Sequence, residues 1–222
     1  MLVVAFDVNG MLTPISSSWL FAHLMLGSKQ QAKKNFDLYT EGHITYGERI
    51  YRELSLWTGL PVVTFNKILS HFLWRSGIEE SVKVRQKHRG YTLFIAVSGG
   101  FSFVGERAVR ELRFNNYKMA ILKIYNGFLT GYVERYIDLN GKREALIEYI
   151  KKRLSDRKTK LVCTGDSIND VEMFKLCDFS TAFCFNKKLY RYSKYIDIFL
   201  HTCNIKNLAK LLGEVITMLI NK

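Results

Sequence analysis

"LVVAFDVNG", Leu2 to Gly10, is a β-branched apolar run that ends on a single carboxylate, Asp7, with an amide, Asn9, two residues later. Its length and composition predict a buried strand from Leu2 to Asp7. Two further runs have the same form: Tyr91 to Val97 leads into Ser98-Gly99-Gly100, and Thr159 to Cys163 leads into Thr164-Gly165-Asp166. Helical stretches separate them, one from Glu79 to His88 ahead of Gly90, another capped by Asn140 and running to about Leu154. Strands alternating with helices imply an α/β fold with a doubly wound, mainly parallel sheet. Ligands of such sheets bind outside the carboxyl ends of the strands. Asp7-Val8-Asn9, Ser98-Gly99-Gly100 and Gly165-Asp166 are therefore expected to converge on one crevice.

Between Pro14 and Ser76 the texture changes. Four helices are predicted there, Ser16 to Leu26, Ser28 to Glu41, Thr45 to Trp57 and Pro61 to Leu73, with glycines after the second and third. Tyr46, Ile50, Leu54 and Trp57 recur at helical spacing and read as a packing stripe. The segment is expected to be a helical insertion over the crevice. Farther on, "IYNGFLTGYVE" (Ile124 to Glu134), with its Asn126-Gly127 turn, predicts a β-hairpin.

With 48% hydrophobic and 24% charged residues in 222, and no low-complexity stretch, the chain has the composition of an ordered globular protein. No apolar run is long enough to span a membrane, and no basic region precedes the first one, so a cytoplasmic protein is expected. The net charge of +13 comes from short dispersed groups, such as Lys33-Lys34 and Lys187-Lys188, without a nucleic-acid-binding signature. Solvated faces are the expected reading, not a nucleic-acid partner. Cys163, Cys177, Cys184 and Cys203 form no C-x-x-C pair and lie in apolar surroundings, which points to reduced core thiols.

The polar clusters suggest one chemistry. Two carboxylates from separate strand ends, Asp7 and Asp166, can hold a hard cation such as Mg²⁺. Ser98 and the amides after it can bind phosphate oxygens, and Lys142 supplies a compact positive charge. These are the parts of a phosphoryl-transfer site.

The order of these residues resembles the haloacid dehalogenase (HAD) superfamily, and within it the phosphoserine phosphatase-like group. "FDVNGMLT" is similar to the first motif of that superfamily, "VSGGF" to the second, Lys142 in "LNGKREAL" to the third and "GDSINDVEMF" to the fourth. "NGFLTGYVE" and "STAFCFNKKL" also look like that group. The resemblance implies a Rossmann-like core over residues 1–13 and 77–222 and a helical cap over 14–76. It further implies a Mg²⁺-dependent phosphomonoester hydrolase with Asp7 as the phosphorylated nucleophile. Asp7, Asp166 and the backbone carbonyl of Asn9 would ligate the metal, with Asn169 and Asp170 supporting the site. Ser98, Gly99 and Lys142 would bind the transferring group of a small phosphorylated metabolite. Asp170 has a second reading, a carboxylate favoured at a helix start.

Two departures from the pattern matter. Asn9 stands where such phosphatases carry a second aspartate that protonates the leaving oxygen and activates water. An amide does neither. Acyl or aryl phosphates as substrates, a long-lived phosphoenzyme, or a weakened relative that binds a metabolite or partner protein all remain open. Second, Ser16 and Glu53 occupy the positions where phosphoserine phosphatases hold their substrate's ammonium and carboxylate, so phosphoserine is not the expected substrate. Tyr46 keeps an aromatic wall, while Arg49 and Arg52 read as solvated cap surface unless the helix turns a different face inward.

Overall fold

A computed structural model describes residues 1–138, 141–154 and 159–221. In chain order the elements are β1 (Leu2–Phe6), α1 (Ser18–Met25), α2 (Lys29–Thr40), α3 (Tyr46–Ser55), α4 (Val62–Ser70), α5 (Glu79–Lys87), β2 (Thr92–Phe101), α6 (Ser102–Leu112), β3 (Asn116–Tyr125), β4 (Phe128–Arg135), α7 (Gly141–Leu154), β5 (Lys160–Gly165), α8 (Val171–Phe174), β6 (Phe179–Phe183), β7 (Ile198–Leu200) and α9 (Ile205–Ile220). Short 3₁₀ turns cover Ile168–Asp170 and Lys187–Tyr195. The strands form one sheet in the order β4-β3-β2-β1-β5-β6-β7, parallel except for the β3–β4 hairpin. That hairpin turns on Asn126 and Gly127, both in the left-handed region (φ 47° and 83°), as the dipeptide predicts.

β1 lies at the centre, parallel to β2 and β5, and all five of its residues are buried. A strand without a polar face has no other stable place. Because side chains alternate along a strand, Val4 and Phe6 face one layer with α6 and α9, while Val3 and Ala5 face α7 and α8. Helices α1, α3 and α4 pack through Trp19, Ile50, Leu54, Trp57 and Phe65 onto Phe101, Ala120 and Leu129. The predicted stripe on α3 is thus core. Thr45 and Glu48 start that helix with reciprocal side-chain-to-backbone hydrogen bonds.

Two expectations change. β2 does not end at Val97 but continues through Ser98-Gly99-Gly100 to Phe101, with its register to β3 slipping between Val97 and Phe101, so the pair of glycines marks an irregularity inside the strand. The cysteines are not free thiols: Cys163 pairs with Cys177 and Cys184 with Cys203. The return of the chain after β5 and after β7 brings the paired Cα atoms to 6.0 and 4.6 Å, within disulfide reach. The cap expected at Asn140 lies outside the described residues. Among the described residues, no helix is long and apolar enough to cross a membrane.

Candidate active site

Asp7 follows the last residue of β1, and its backbone N–H donates to the Thr164 carbonyl at 2.9 Å. Parallel pairing of Phe6 with Thr164 puts Asp166 beside it. The chain then closes a 3₁₀ turn at Ser167, and Asp170 folds back: its Oδ2 accepts from the backbone N–H groups of Asp166 and Ser167, both at 3.0 Å. Carboxylate oxygens of Asp7, Asp166 and Asp170 lie within 4.8 Å of one another. Lys142, in the first turn of α7, enters the group with Nζ 2.6 Å from Asp170 Oδ1 and 2.9 Å from Asp7 Oδ1. Asp7, Ser98, Lys142 and Asp170 are all buried.

Glycine is required where the loop passes these groups. Gly10 sits at φ 82°, and a side chain there would strike the Asp166 carboxylate. A side chain at Gly100 would meet the Asn9 amide and the Ser18 hydroxyl. Those two groups also meet each other, Asn9 Nδ2 donating to Ser18 Oγ at 3.4 Å.

Three carboxylates against one ammonium leave a strained balance. Burial is the main cause that raises the Asp7 pKa; the Lys142 charge opposes it and the Asp170 charge adds to it. Burial, then the charges of Asp7 and Asp170, push the Asp166 carboxyl up to about 9. Burial also works against the Lys142 charge, but Asp170 and Asp7 outweigh it and hold that pKa above the ordinary lysine value. Asp166 Oδ1 and Asn9 Oδ1 are buried with no hydrogen-bond donor among the described residues. Hard oxygen ligands in excess negative charge, with Asp166 Oδ1 unsatisfied, fit a divalent cation.

The structure brings Asp7, Asp166, Asp170 and Lys142 together, with Asn9, Ser98 and Gly99 on the adjoining loop and strand. Asn169 is exposed on the 3₁₀ turn. Tyr46 donates to the Ile137 carbonyl at 3.4 Å, beside the strand that carries Gly99, whose missing Cβ faces the same carbonyl. Arg49 departs from expectation: it is not solvated surface. Its side chain is only 14% exposed, pairs through Nε with Glu53 at 2.7 Å and lies against the Phe36, Tyr39 and Tyr46 rings. Glu53 is buried and also meets His23 Nε2 at 3.3 Å, so its charge is compensated within the helices. Arg52 is exposed as expected, and so is Ser16.

Sequence reasoning missed Arg75. Its guanidinium donates to the carbonyls of Gly10, Met11 and Thr13 at 2.6, 3.0 and 3.3 Å. Its own N–H donates to Leu12 at 2.7 Å. It ties the segment returning from the helices to the loop that carries Asn9. Arg75→Ala should cost about 2 kcal/mol in urea unfolding, with Arg75→Lys recovering only part, because an ammonium cannot reproduce the planar fork. Full recovery by lysine would mean that charge alone matters. Trp19 was also missed; its indole N–H donates to the Gly99 carbonyl at 2.9 Å.

A parallel sheet that gathers carboxylates and a lysine at its strand ends is the arrangement that the resemblance to haloacid dehalogenase-type hydrolases implies. No protein-family model matches the chain. It is 28% identical over 158 residues to a phosphoserine phosphatase of Methanocaldococcus jannaschii, covering 71% of this chain and 74% of that protein. To a phosphoserine phosphatase of Archaeoglobus fulgidus it is 30% identical over 158 residues, 71% of this chain but only 45% of that protein. Among solved structures, a phospho-aspartyl intermediate analogue of phosphoserine phosphatase superposes with a TM-score of 0.73 at 26% identity, over 94% of this chain and 97% of that one. A haloacid dehalogenase family hydrolase from Salmonella enterica serovar Typhi shares the fold, with a TM-score of 0.79 at 16% identity over 93% and 70% of the two chains. These sequence relatives and structural neighbours support a place beside the phosphoserine phosphatase-like group of haloacid dehalogenase-type hydrolases.

Proposed function

We propose that the protein is a Mg²⁺-dependent phosphomonoester hydrolase acting through a phospho-aspartyl intermediate on a small phosphorylated metabolite other than phosphoserine. Residues 1–13 and 77–222 form the catalytic core in this reading, and 14–76 the cap. The convergence of Asp7, Asp166 and Asp170 on Lys142 carries it. Asp7, Asp166 and the Asn9 carbonyl would hold Mg²⁺, with Asp170 fixing Lys142 and the turn behind Asp166. When bound, the cation offsets repulsion between the anionic nucleophile and an anionic substrate.

Asp7 attacks phosphorus, and splitting hydrolysis into two displacements avoids direct attack by neutral water on the monoester. Ser98, the amide of Gly99 and Lys142 would bind the equatorial oxygens as charge redistributes. Asn9 donates hydrogen bonds through Nδ2 but transfers no proton. Glu53 supports exclusion of phosphoserine, because the position that would answer a substrate carboxylate holds a buried carboxylate already paired with Arg49 and His23.

Hydrolysis of para-nitrophenyl phosphate beside phosphoserine, with and without Mg²⁺, tests this reading. Metal-dependent release from the aryl ester that exceeds release from phosphoserine is expected. Release that persists in chelator would sink the metal-dependent reading. A second test uses no substrate. Without divalent cation, folded Asp166 keeps to about pH 9 a proton that the unfolded chain loses near its ordinary value of 3.8. The stability this supplies is complete below about pH 4 and is lost as pH rises toward about 9. Mg²⁺ competes with that proton, so it should raise the unfolding temperature more at pH 8.5 than at pH 5. A Mg²⁺ effect independent of pH would place the ion elsewhere.

A further inference from the structure

Beside the reaction centre, α1, α2 and α3 enclose a mostly apolar cavity of about 310 Å³, at the small end of ligand pockets, which run from about 300 to 1,000 Å³. Trp19 and Leu20 of α1 face Ala32 and Phe36 of α2 across it. Leu20 and Phe36 are 44% and 48% exposed around this concavity, and large apolar groups left open on a concave surface mark a contact site. Lys29, Lys33 and Arg49 stand at its walls with Glu53, and Lys33 is itself paired with Asp37 and Arg49 with Glu53. Glu53 is already held by Arg49 and His23, so the cavity offers an ammonium group no free carboxylate and suits an apolar body.

The cavity adjoins the chemistry through the first turn of α1. Ser17 and Trp19 line it, while Ser18, between them, accepts from Asn9. Trp19 also holds the Gly99 carbonyl. Asn9 supplies an independent constraint: with no proton to give, the site suits a leaving oxygen that departs as a stable anion. A phenolate, with a pKa near the tyrosine value of about 10, meets that requirement far better than an alkoxide.

From these two observations we infer that the cavity receives the aryl leaving group of a phenolic phosphate monoester. The inference rests on the phosphatase reading above and names its substrate class. Asp7 bonds to phosphorus as the phosphorus–oxygen bond to the ring breaks, and the phenolate leaves with the electron pair. Water then attacks phosphorus, the bond to Asp7 breaks, and both protons of the water depart on dihydrogen phosphate.

The test compares 1-naphthyl phosphate with acetyl phosphate, which also needs no leaving-group proton but has no ring. Ala32→Trp fills the cavity, and Phe36→Ala removes a wall without crowding; the second variant decides the matter if the first does not fold. The ratio of kcat/KM for the naphthyl ester to that for acetyl phosphate should fall about tenfold in Ala32→Trp and about threefold in Phe36→Ala. An unchanged ratio in a folded variant overturns the assignment. Should the wild type hydrolyse neither ester, the phosphatase reading fails separately, and binding decides for the cavity. Tighter binding of 1-naphthylmethylphosphonate than of methylphosphonate in Mg²⁺ buffer, weakened by Phe36→Ala, keeps the cavity; equal affinities remove it.

Discussion

Asn9→Asp should raise turnover of an alkyl phosphate such as 2-glycerophosphate by about 10²- to 10⁴-fold, the usual contribution of a positioned acid/base. The substitution changes one amide nitrogen to oxygen, and the place it enters already suits a proton donor. Asn9 sits on the loop between Asp7 and Gly10, its amide 3.4 Å from the Ser18 hydroxyl. A carboxyl group there, close to Asp7 and partly buried, is held toward its protonated form by both surroundings, which is the form that delivers a proton to an alkoxide. An aryl ester should gain much less, because its leaving group needs no such help. The measurement is steady-state turnover of both esters by both proteins. A rate on 2-glycerophosphate unchanged by the substitution would mean that the site has diverged beyond its proton shuttle.

Asp7→Asn should reduce turnover by at least about 10⁴-fold, since loss of a covalent nucleophile removes the first step and not one contact among several. The fold should survive. Burial, the largest influence on Asp7, already disfavours its charge, and Lys142 retains Asp170 at 2.6 Å. The unfolding temperature of the metal-free variant is therefore expected to equal or exceed that of the wild type. Normal turnover with a normal fold would remove Asp7 as nucleophile, whereas a collapsed unfolding temperature would assign it a structural role.

Much of this site was legible because its parts sit where a simple rule says they must. Asp7 and Asp166 end short apolar strands, and parallel pairing brings such ends together whatever lies between them in sequence. The four helices of the insertion could be read from caps, glycines and the Tyr46-to-Trp57 stripe. Other features left no local trace. Ser98-Gly99-Gly100 reads as the end of a strand because glycine is depleted in strand interiors, yet pairing with β3 resumes at Phe101 after a slip in register. Arg49 looks like helix surface, and α2 packing beside α3 adds the Phe36 and Tyr39 rings to that of Tyr46 on its own helix. Arg75 spends its hydrogen bonds on backbone carbonyls, which every residue possesses, so nothing in the sequence marks its partners. The cysteine pairs depend on where the chain returns after β5 and β7, which spacings of 14 and 19 residues do not reveal.

The Arg75 contacts bear on how a substrate enters. The chain leaves the sheet for the helices through residues 10–15 and comes back through Arg75, and one guanidinium fastens both passages together. Two strands of a linker bound at one point behave as a single pivot, not as two independent tethers, so the helices swing about that point more readily than they slide or detach. Gly10 is one of the residues that the guanidinium holds, and Asn9 precedes it in the chain. The loop bearing Asn9 is thereby the part that any opening of the helices would displace least.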